Sequence, residues 1–338
     1  MRPVSGLASM KISALVLGLV GLGLAAWLLQ SYGIGRILDL FGNAGWFGIV
    51  AVIAFHGLQV LFSALGWRAV AGPGPDRPDL GAFLVLRLVR EAVNNLLPVA
   101  QVGGEFVVSR LLQRRGVKLA SAIAGTVADL TIQVVTQIVF TIMGLALLLR
   151  SVGDSAVSGY VAGALPVAAL AIVGLLGAQW LGLAAVIETA LMRLGRSMGW
   201  AGTAHVEGLH QALIDCYRAP GRVTMAALWH MVSWLLGGIE VCLALHFLGQ
   251  DIGFGPGLII ESLGQALKAA GFVVPGALGV QEGGYIVICQ ALGLSPELAI
   301  ALSLMKRLRE VALGLPGLVL WRRIEAAPAP AMSVTEVT

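Results

Sequence analysis

The sequence carries little charge for a chain of its length. Only 12% of its 338 residues are charged, whereas 58% are hydrophobic, and the mean hydropathy is +0.89. Soluble globular domains have about 25% charged residues, which cover their surface. A membrane span takes about 20 consecutive apolar residues, and runs of that length recur, as at 12–30 and 44–67. The composition therefore excludes an ordinary water-soluble domain and predicts an integral membrane protein.

Several functional motifs are missing as well. The three cysteines, Cys216, Cys242 and Cys289, show neither a disulfide framework nor a metal-ligand spacing. No Gly-Lys-Ser/Thr phosphate loop is present, so no ATPase is predicted. The formal net charge of +4 comes from basic residues in short loops, so nucleic acid is not a predicted partner. We expect no cofactor, no metal and no catalytic residue, and we expect the five histidines to be ordinary packing or interface residues.

Two apolar stretches, 80–112 and 257–294, are too long for one span and too interrupted for two. Both contain charged residues together with Pro and Gly breaks, which are tolerated at membrane depth only inside protein or beside a watery cavity. We interpret them as re-entrant hairpins. The predicted fold is an all-α polytopic membrane protein with six spanning helices plus two re-entrant helical hairpins in an inverted repeat. The predicted spans are 12–30, 44–67, 119–149, 160–185, 222–248 and 296–321.

The distribution of basic residues predicts the orientation of these spans. With both termini in the cytoplasm, 14 cations lie in inside segments and 2 in outside loops, as the positive-inside rule favours. Residues 186–221 alternate charged and leucine-rich positions, which is typical of an amphipathic helix at the cytoplasmic surface. We therefore predict a single transmembrane domain over 1–325 and a disordered tail over 326–338.

The two predicted hairpins are similar to each other at an offset of 177 residues. Eight identities fall between 98–124 and its partner segment, without a gap. The predicted topology inserts the two hairpins from opposite sides, so the repeats, about 44–149 and 222–321, are inverted. Inverted repeats with broken helices are the architecture of many secondary transporters. The alternative is a duplication retained for packing alone. The least common matched residues are Pro98 with Pro275, Glu105 with Glu282, Gln113 with Gln290 and Gly116 with Gly293.

Polar residues at helical spacing mark a candidate binding site. Arg87, Arg90, Glu91 and Asn94 share one helix face, where Glu91 can neutralise Arg87. Ionisable groups inside a bilayer are costly and persist where they pair or line a polar path. The predicted substrate-binding residues are Arg87, Arg90, Glu91, Asn94, Glu105, Asp129, Glu282, Lys306, Arg309 and Glu310.

Two parts of this set carry specific hypotheses. Glu105 and Glu282 occupy matching positions at probable helix starts, so each is either a transport residue or a cap of the hairpin amides. Asp129 and Lys306 also match at the repeat offset. We predict that they form an ion pair across the pseudo-two-fold axis.

The hairpin sequences also resemble a known family. The stretches RLVREAVNNLLPVAQVGGEFVVSRLL and VPGALGVQEGGYIVICQALGLSPELAIALSLMKRLRE resemble the flippase-like integral membrane family, which is related to the transmembrane region of lysylphosphatidylglycerol synthases. The resemblance covers roughly 10–324, and within the family the chain is most like the hopanoid-biosynthesis-associated membrane proteins of bacteria.

This resemblance implies an inner-membrane protein that moves lipids between leaflets or toward the outer membrane. Its partners would be membrane lipids, with lipid-biosynthesis or export proteins as further candidates. The synthases carry a soluble aminoacyl-transferase domain that has no counterpart here, so lysine transfer is not expected. Two alternatives remain, an intramembrane enzyme that modifies lipid head groups with paired carboxylates and a scaffold for lipid-biosynthesis enzymes.

Overall fold

The computed structural model describes residues 34–71, 77–97, 103–152, 209–270 and 279–327, together with Trp27 and Gln30. Within these ranges every secondary-structure element is an α-helix, which confirms the all-α prediction. The helices are α1 Ile34–Val70, α2 Leu80–Leu96, α3 Gly103–Arg114, α4 Leu119–Val152, α5 Leu209–Tyr217, α6 Pro220–Phe247, α7 Phe254–Ala270, α8 Val280–Ala291 and α9 Pro296–Ala326.

Three of these helices are long and apolar enough to cross a membrane. They cover Gly35–Val70, Leu119–Ser151 and Pro220–Phe247, in agreement with the predicted spans at 44–67, 119–149 and 222–248. Helix α9 has the length of a span, with 31 residues, but four charged residues at its middle make it too polar by composition. The predicted span at 296–321 therefore stays a prediction, and those at 12–30 and 160–185 lie outside the described residues.

The surface of the spanning helices is apolar, whereas charged side chains are buried. Trp46 is 76% exposed and Leu228 is 54% exposed, while Asp129 and Glu240 are 0% exposed. A soluble protein places these residue types the other way round. The arrangement suits a hydrocarbon solvent, which leaves polar groups to find partners inside the protein. The chain is therefore a membrane protein.

Both predicted hairpins consist of two helices that flank a break. Helices α2 and α3 cover most of 80–112 and pack against each other, as do α7 and α8 within 257–294. Each hairpin also contacts the opposite half of the chain, because α2 packs against α9 and α7 packs against α4. Helices α1 and α6 form the largest helix contact between the halves.

The helix boundaries repeat at the offset found in the sequence. Helices α3 and α8 begin 177 residues apart, and so do α4 and α9. Gly116 and Gly293 follow α3 and α8 with φ angles of +92° and +76°, a left-handed conformation that glycine adopts without strain. The amides of Val117 and Leu294 close both helix ends by donating to the carbonyls of Leu112 and Cys289 at 3.2 and 2.9 Å. The two segments thus share the same local structure.

Two further predictions fall mainly outside the described residues. Of the amphipathic helix at 186–221, only α5 is described; it packs against α4 with Leu209 buried. Helix α6 begins at Pro220, so the predicted surface helix does not extend to 221. The predicted tail at 326–338 lies beyond the end of α9 at Ala326.

Candidate functional site

The buried apolar side chains form two clusters. One contains α7, α8 and the first half of α9, as with Ile259 and Leu302. The other contains α2, α3 and the first half of α4, as with Leu86 and Leu111. The long helices contribute to both clusters, so their middle turns lie between the two.

Polar residues occupy these middle turns. In α1, Val52 belongs to the first cluster and Ala64 to the second, and His56 and Gln59 lie between them in the chain. Other polar residues that fall between the clusters are Gln137 in α4, Ser233 in α6, and Lys306, Arg309 and Glu310 in α9. The helices thus form a polar layer between two apolar layers.

This polar layer encloses a cavity of about 220 Å³. Its wall is built by α1, α2, α3, α4, α6, α7 and α9, and almost all of it is polar or charged. Seven of the ten predicted site residues line it. They are Arg87, Arg90, Glu91, Asn94, Glu105, Arg309 and Glu310.

Arg90 holds two buried carboxylates on one wall of the cavity. Its Nε lies 2.9 Å from Glu105 Oε1, and its Nη1 lies 2.5 Å from Asp129 Oδ2. Asp129 also contacts His230 Nε2 at 2.8 Å. Asn94 donates to both oxygens of Glu105 at 3.2 Å and accepts from the amide of Gly104 at 2.7 Å. The first hairpin is thus held closed by a charged cluster that α4 and α6 complete.

Glu240 of α6 is the centre of a second cluster. Arg309 and Gln59 both donate to its carboxylate, and His56 Nδ1 lies 2.8 Å from Glu240 Oε2. The other ring nitrogen of His56, Nε2, lies 3.6 Å from Glu91 Oε2. This cluster links α1, α2, α6 and α9 across the cavity.

Two more ion pairs complete the cavity wall. Glu91 accepts from Arg87 at 3.0 Å, as the helical spacing predicted, and Arg87 also donates to Gln133 at 3.2 Å. Lys268 of α7 contacts Glu310 of α9 at 2.5 Å. Each charged side chain on the wall therefore has an opposite partner, so the cavity is ionic without exposing an isolated charge.

The predicted ion pair between Asp129 and Lys306 is wrong. Asp129 contacts Arg90 and His230, whereas Lys306 donates to Glu261 of α7. The matching positions face different halves of the structure, because α4 packs against α7 and α9 packs against α2. Neither residue lines the cavity among those the structure describes.

Glu282 is also outside the cavity wall. Its Oε2 accepts from the amide of Gly279 at 2.7 Å, which caps the start of α8, and its Oε1 accepts from Arg307 at 2.6 Å. The capping alternative of the sequence analysis therefore describes Glu282. Glu105 instead accepts from side chains at the cavity.

Four site residues were missed by the sequence reasoning. His56 and His230 were expected to be packing residues, yet each contacts a buried carboxylate. Glu240 and Glu261 were not singled out, although each is 0–1% exposed and contacts a basic side chain. A usable signal was present, because a single carboxylate within an otherwise apolar span is a functional-site hypothesis by default.

The arrangement favours binding of a polar group over metal chemistry. Within the described ranges, no set of three or more His, Cys, Asp or Glu side chains is placed to hold a metal ion. The cavity wall offers amides and paired charges, which can exchange hydrogen bonds with a hydroxyl, amine or phosphate group. Its amides are those of Asn94, Asn95, Gln133, Gln137 and Gln265.

A separate basic group lies at one end of the helices. Arg68 is in the last turn of α1, Arg222 is in the first turn of α6, and Arg77 precedes α2. Burial and repulsion by Arg68 and Arg222 lower the pKa of Arg77. All three are among the cations that the topology prediction assigns to the cytoplasmic side.

The fold and the site define a class, an α-helical membrane protein whose long helices enclose an ion-paired polar cavity. Residues 12–317 match the family of the lysylphosphatidylglycerol synthase TM region, and the chain belongs to that family. No curated protein and no solved structure matches it. Family membership confirms the resemblance inferred from the hairpin sequences and indicates a role in lipid metabolism or transport.

Proposed function

We propose that this protein is a lipid translocator of the bacterial inner membrane, a transporter and not an enzyme. It would move hopanoids or related lipids between leaflets or toward the outer membrane. The observation that carries this proposal is the ionic cavity, enclosed by helices whose outer surface is apolar. Such a wall offers a polar path through a layer where an unpaired polar group costs several kcal/mol.

The size of the cavity supports passage of a head group and not of a whole lipid. About 220 Å³ is at or below the lower end of small-molecule sites. A lipid can place its polar head among Asn95, Gln133 and Lys268 while its apolar body stays in the bilayer. The exposed apolar faces of α1, α4 and α6 are suitable surfaces for that body.

The repeated helix boundaries support a transport mechanism. Two hairpins with equivalent starts and equivalent glycine C-caps fit the predicted inverted repeat, with each hairpin inserted from its own side. In secondary transporters, one such repeat moves against the other around a central site. The cytoplasmic position of both termini follows from the same topology. The hopanoid cargo rests on the resemblance alone.

Vesicles that contain the purified full-length chain test the proposal. We expect a labelled hopanoid polyol to change leaflet faster than in protein-free vesicles, with its chemical structure unchanged. Gln133→Trp should fill the cavity and slow movement at least about tenfold, equivalent to about 1.4 kcal/mol in the barrier. Val135→Trp is the matched control, because Val135 lies on the same helix and is 44% exposed on its outer side.

The possible outcomes separate the proposed function from its alternatives. A new head group in the labelled lipid would identify an intramembrane enzyme instead. No movement of any labelled lipid, with correctly folded protein, would contradict translocation and favour the scaffold. Equal slowing by both tryptophan variants would show that the cavity is not the path.

A further inference from the structure

His56 lies between two carboxylates, with one at each ring nitrogen. Nδ1 is 2.8 Å from Glu240 Oε2, and Nε2 is 3.6 Å from Glu91 Oε2. A neutral imidazole carries one N–H, so it can donate to only one of these groups, whereas an imidazolium donates from both nitrogens. The geometry around His56 is therefore that of a protonated ring.

The charge balance of the cavity also leaves room for one proton. The charged residues that line the cavity, with their ion-pair partners, include one more carboxylate than cations among the described residues. A buried carboxylate without compensation is costly in a membrane. Protonation of one histidine would balance the set. The carboxylates are Glu91, Glu105, Asp129, Glu240 and Glu310, and the cations are Arg87, Arg90, Lys268 and Arg309.

His56 is better placed than His230 to exchange that proton. His56 lines the cavity, and 13% of its side chain is exposed. His230 is 1% exposed, contacts Asp129 through one nitrogen and does not line the cavity. The charged groups that face His56 from neighbouring helices are Arg87 and Glu91 of α2, Glu240 of α6, and Arg309 and Glu310 of α9.

We propose that His56 is a proton-binding site and that its imidazolium joins the first hairpin to α6. Nε2 takes the proton from water in the cavity and returns it to water when Glu91 moves away from Glu240. Because Glu91 belongs to α2, binding and release of the proton favour different positions of that helix. Coupling of this step to lipid movement rests on the proposed function, whereas proton binding itself does not.

Nuclear magnetic resonance of the full-length chain with isotope-labelled histidine tests proton binding directly. At neutral pH we expect one buried ring with both nitrogens protonated, and His56→Gln should remove that signal. His230→Gln is the comparison variant, since it removes the other buried ring. If the signal vanishes in His230→Gln and persists in His56→Gln, the assignment is wrong. Glu91→Gln provides a test that leaves the ring in place, and it should change the same signal.

A second experiment tests the coupling. In vesicles, a pH gradient should change the rate of lipid movement by the wild-type protein, and this response should be lost in His56→Gln. A wild-type rate that is insensitive to the gradient would overturn the coupling. Absence of lipid movement at every pH would reject the proposed function, while the resonance experiment would still decide whether His56 binds a proton.

Discussion

The two hairpins have the same helix boundaries but different polar contacts. Helices α3 and α8 start 177 residues apart and end in equivalent glycines. Their matched carboxylates nevertheless differ, because Glu105 contacts Arg90 and Asn94 at the cavity. Glu282 instead caps α8 and contacts Arg307 away from the cavity.

The difference has a simple origin in the sequence. The position equivalent to Arg90 in the second hairpin is Leu267, so Glu282 has no basic partner within its own hairpin at that place. It uses a backbone amide and α9 instead. A residue that recurs in a repeat can therefore keep its position and change its contacts. Three substitution pairs test how far this asymmetry extends.

The largest expected effect is on stability when Arg90 is replaced. Arg90→Met leaves the carboxylates of Glu105 and Asp129 without their cation, and only 3% of the Arg90 side chain is exposed. Loss of one partner from a buried ion pair costs about 3–5 kcal/mol. We expect a decrease of that size in the free energy of unfolding, measured by denaturation in mixed micelles.

Arg307→Met is the matched variant in the second half. The Arg307 side chain is 19% exposed, and Glu282 keeps the amide of Gly279 when Arg307 is lost. We therefore expect a smaller decrease. Equal decreases in both variants would show that the two carboxylates are held in equivalent ways.

The second comparison concerns lipid movement. Glu105→Gln should slow movement at least about tenfold, or 1.4 kcal/mol, because it removes a negative charge from the cavity wall. Glu282→Gln should leave the rate within about twofold, since glutamine also serves at this position of a capping box. Transport in reconstituted vesicles measures both. Similar losses in the two variants would support the original prediction that both carboxylates take part in transport.

The sequence predicted much of the fold because local patterns encode it. The apolar runs at 44–67, 119–149 and 222–248 gave correct helices, and the breaks after Leu96 and Ala270 agree with the predicted hairpins. The match at an offset of 177 anticipated the equivalent helix starts. Seven of the ten predicted site residues line the cavity, because ionisable groups in apolar segments are rare and must gather.

The pairing of the charges could not be predicted from local patterns. The contact of Asp129 with Arg90 and His230, and that of Lys306 with Glu261, depends on which helices pack together and how each is rotated. Symmetry suggested a pair between Asp129 and Lys306, but the opposite helices α7 and α2 supply nearer partners or neighbours. Histidine was undervalued because its sequence spacing carries no sign of a carboxylate from another helix.

The smallest expected effects come from single methyl groups in the two hairpins. A Cβ atom at Gly104 would lie 2.5 Å from the carbonyl oxygen of Arg90, and backbone cannot move aside easily. Gly104→Ala should therefore lower the free energy of unfolding by about 1–3 kcal/mol. At Gly283 of α8 the same atom would meet nothing within 4 Å, so Gly283→Ala should be neutral or stabilising by up to about 1 kcal/mol. Denaturation in mixed micelles measures both, and a harmless Gly104→Ala would show that α2 and α3 do not pack as closely as the structure indicates.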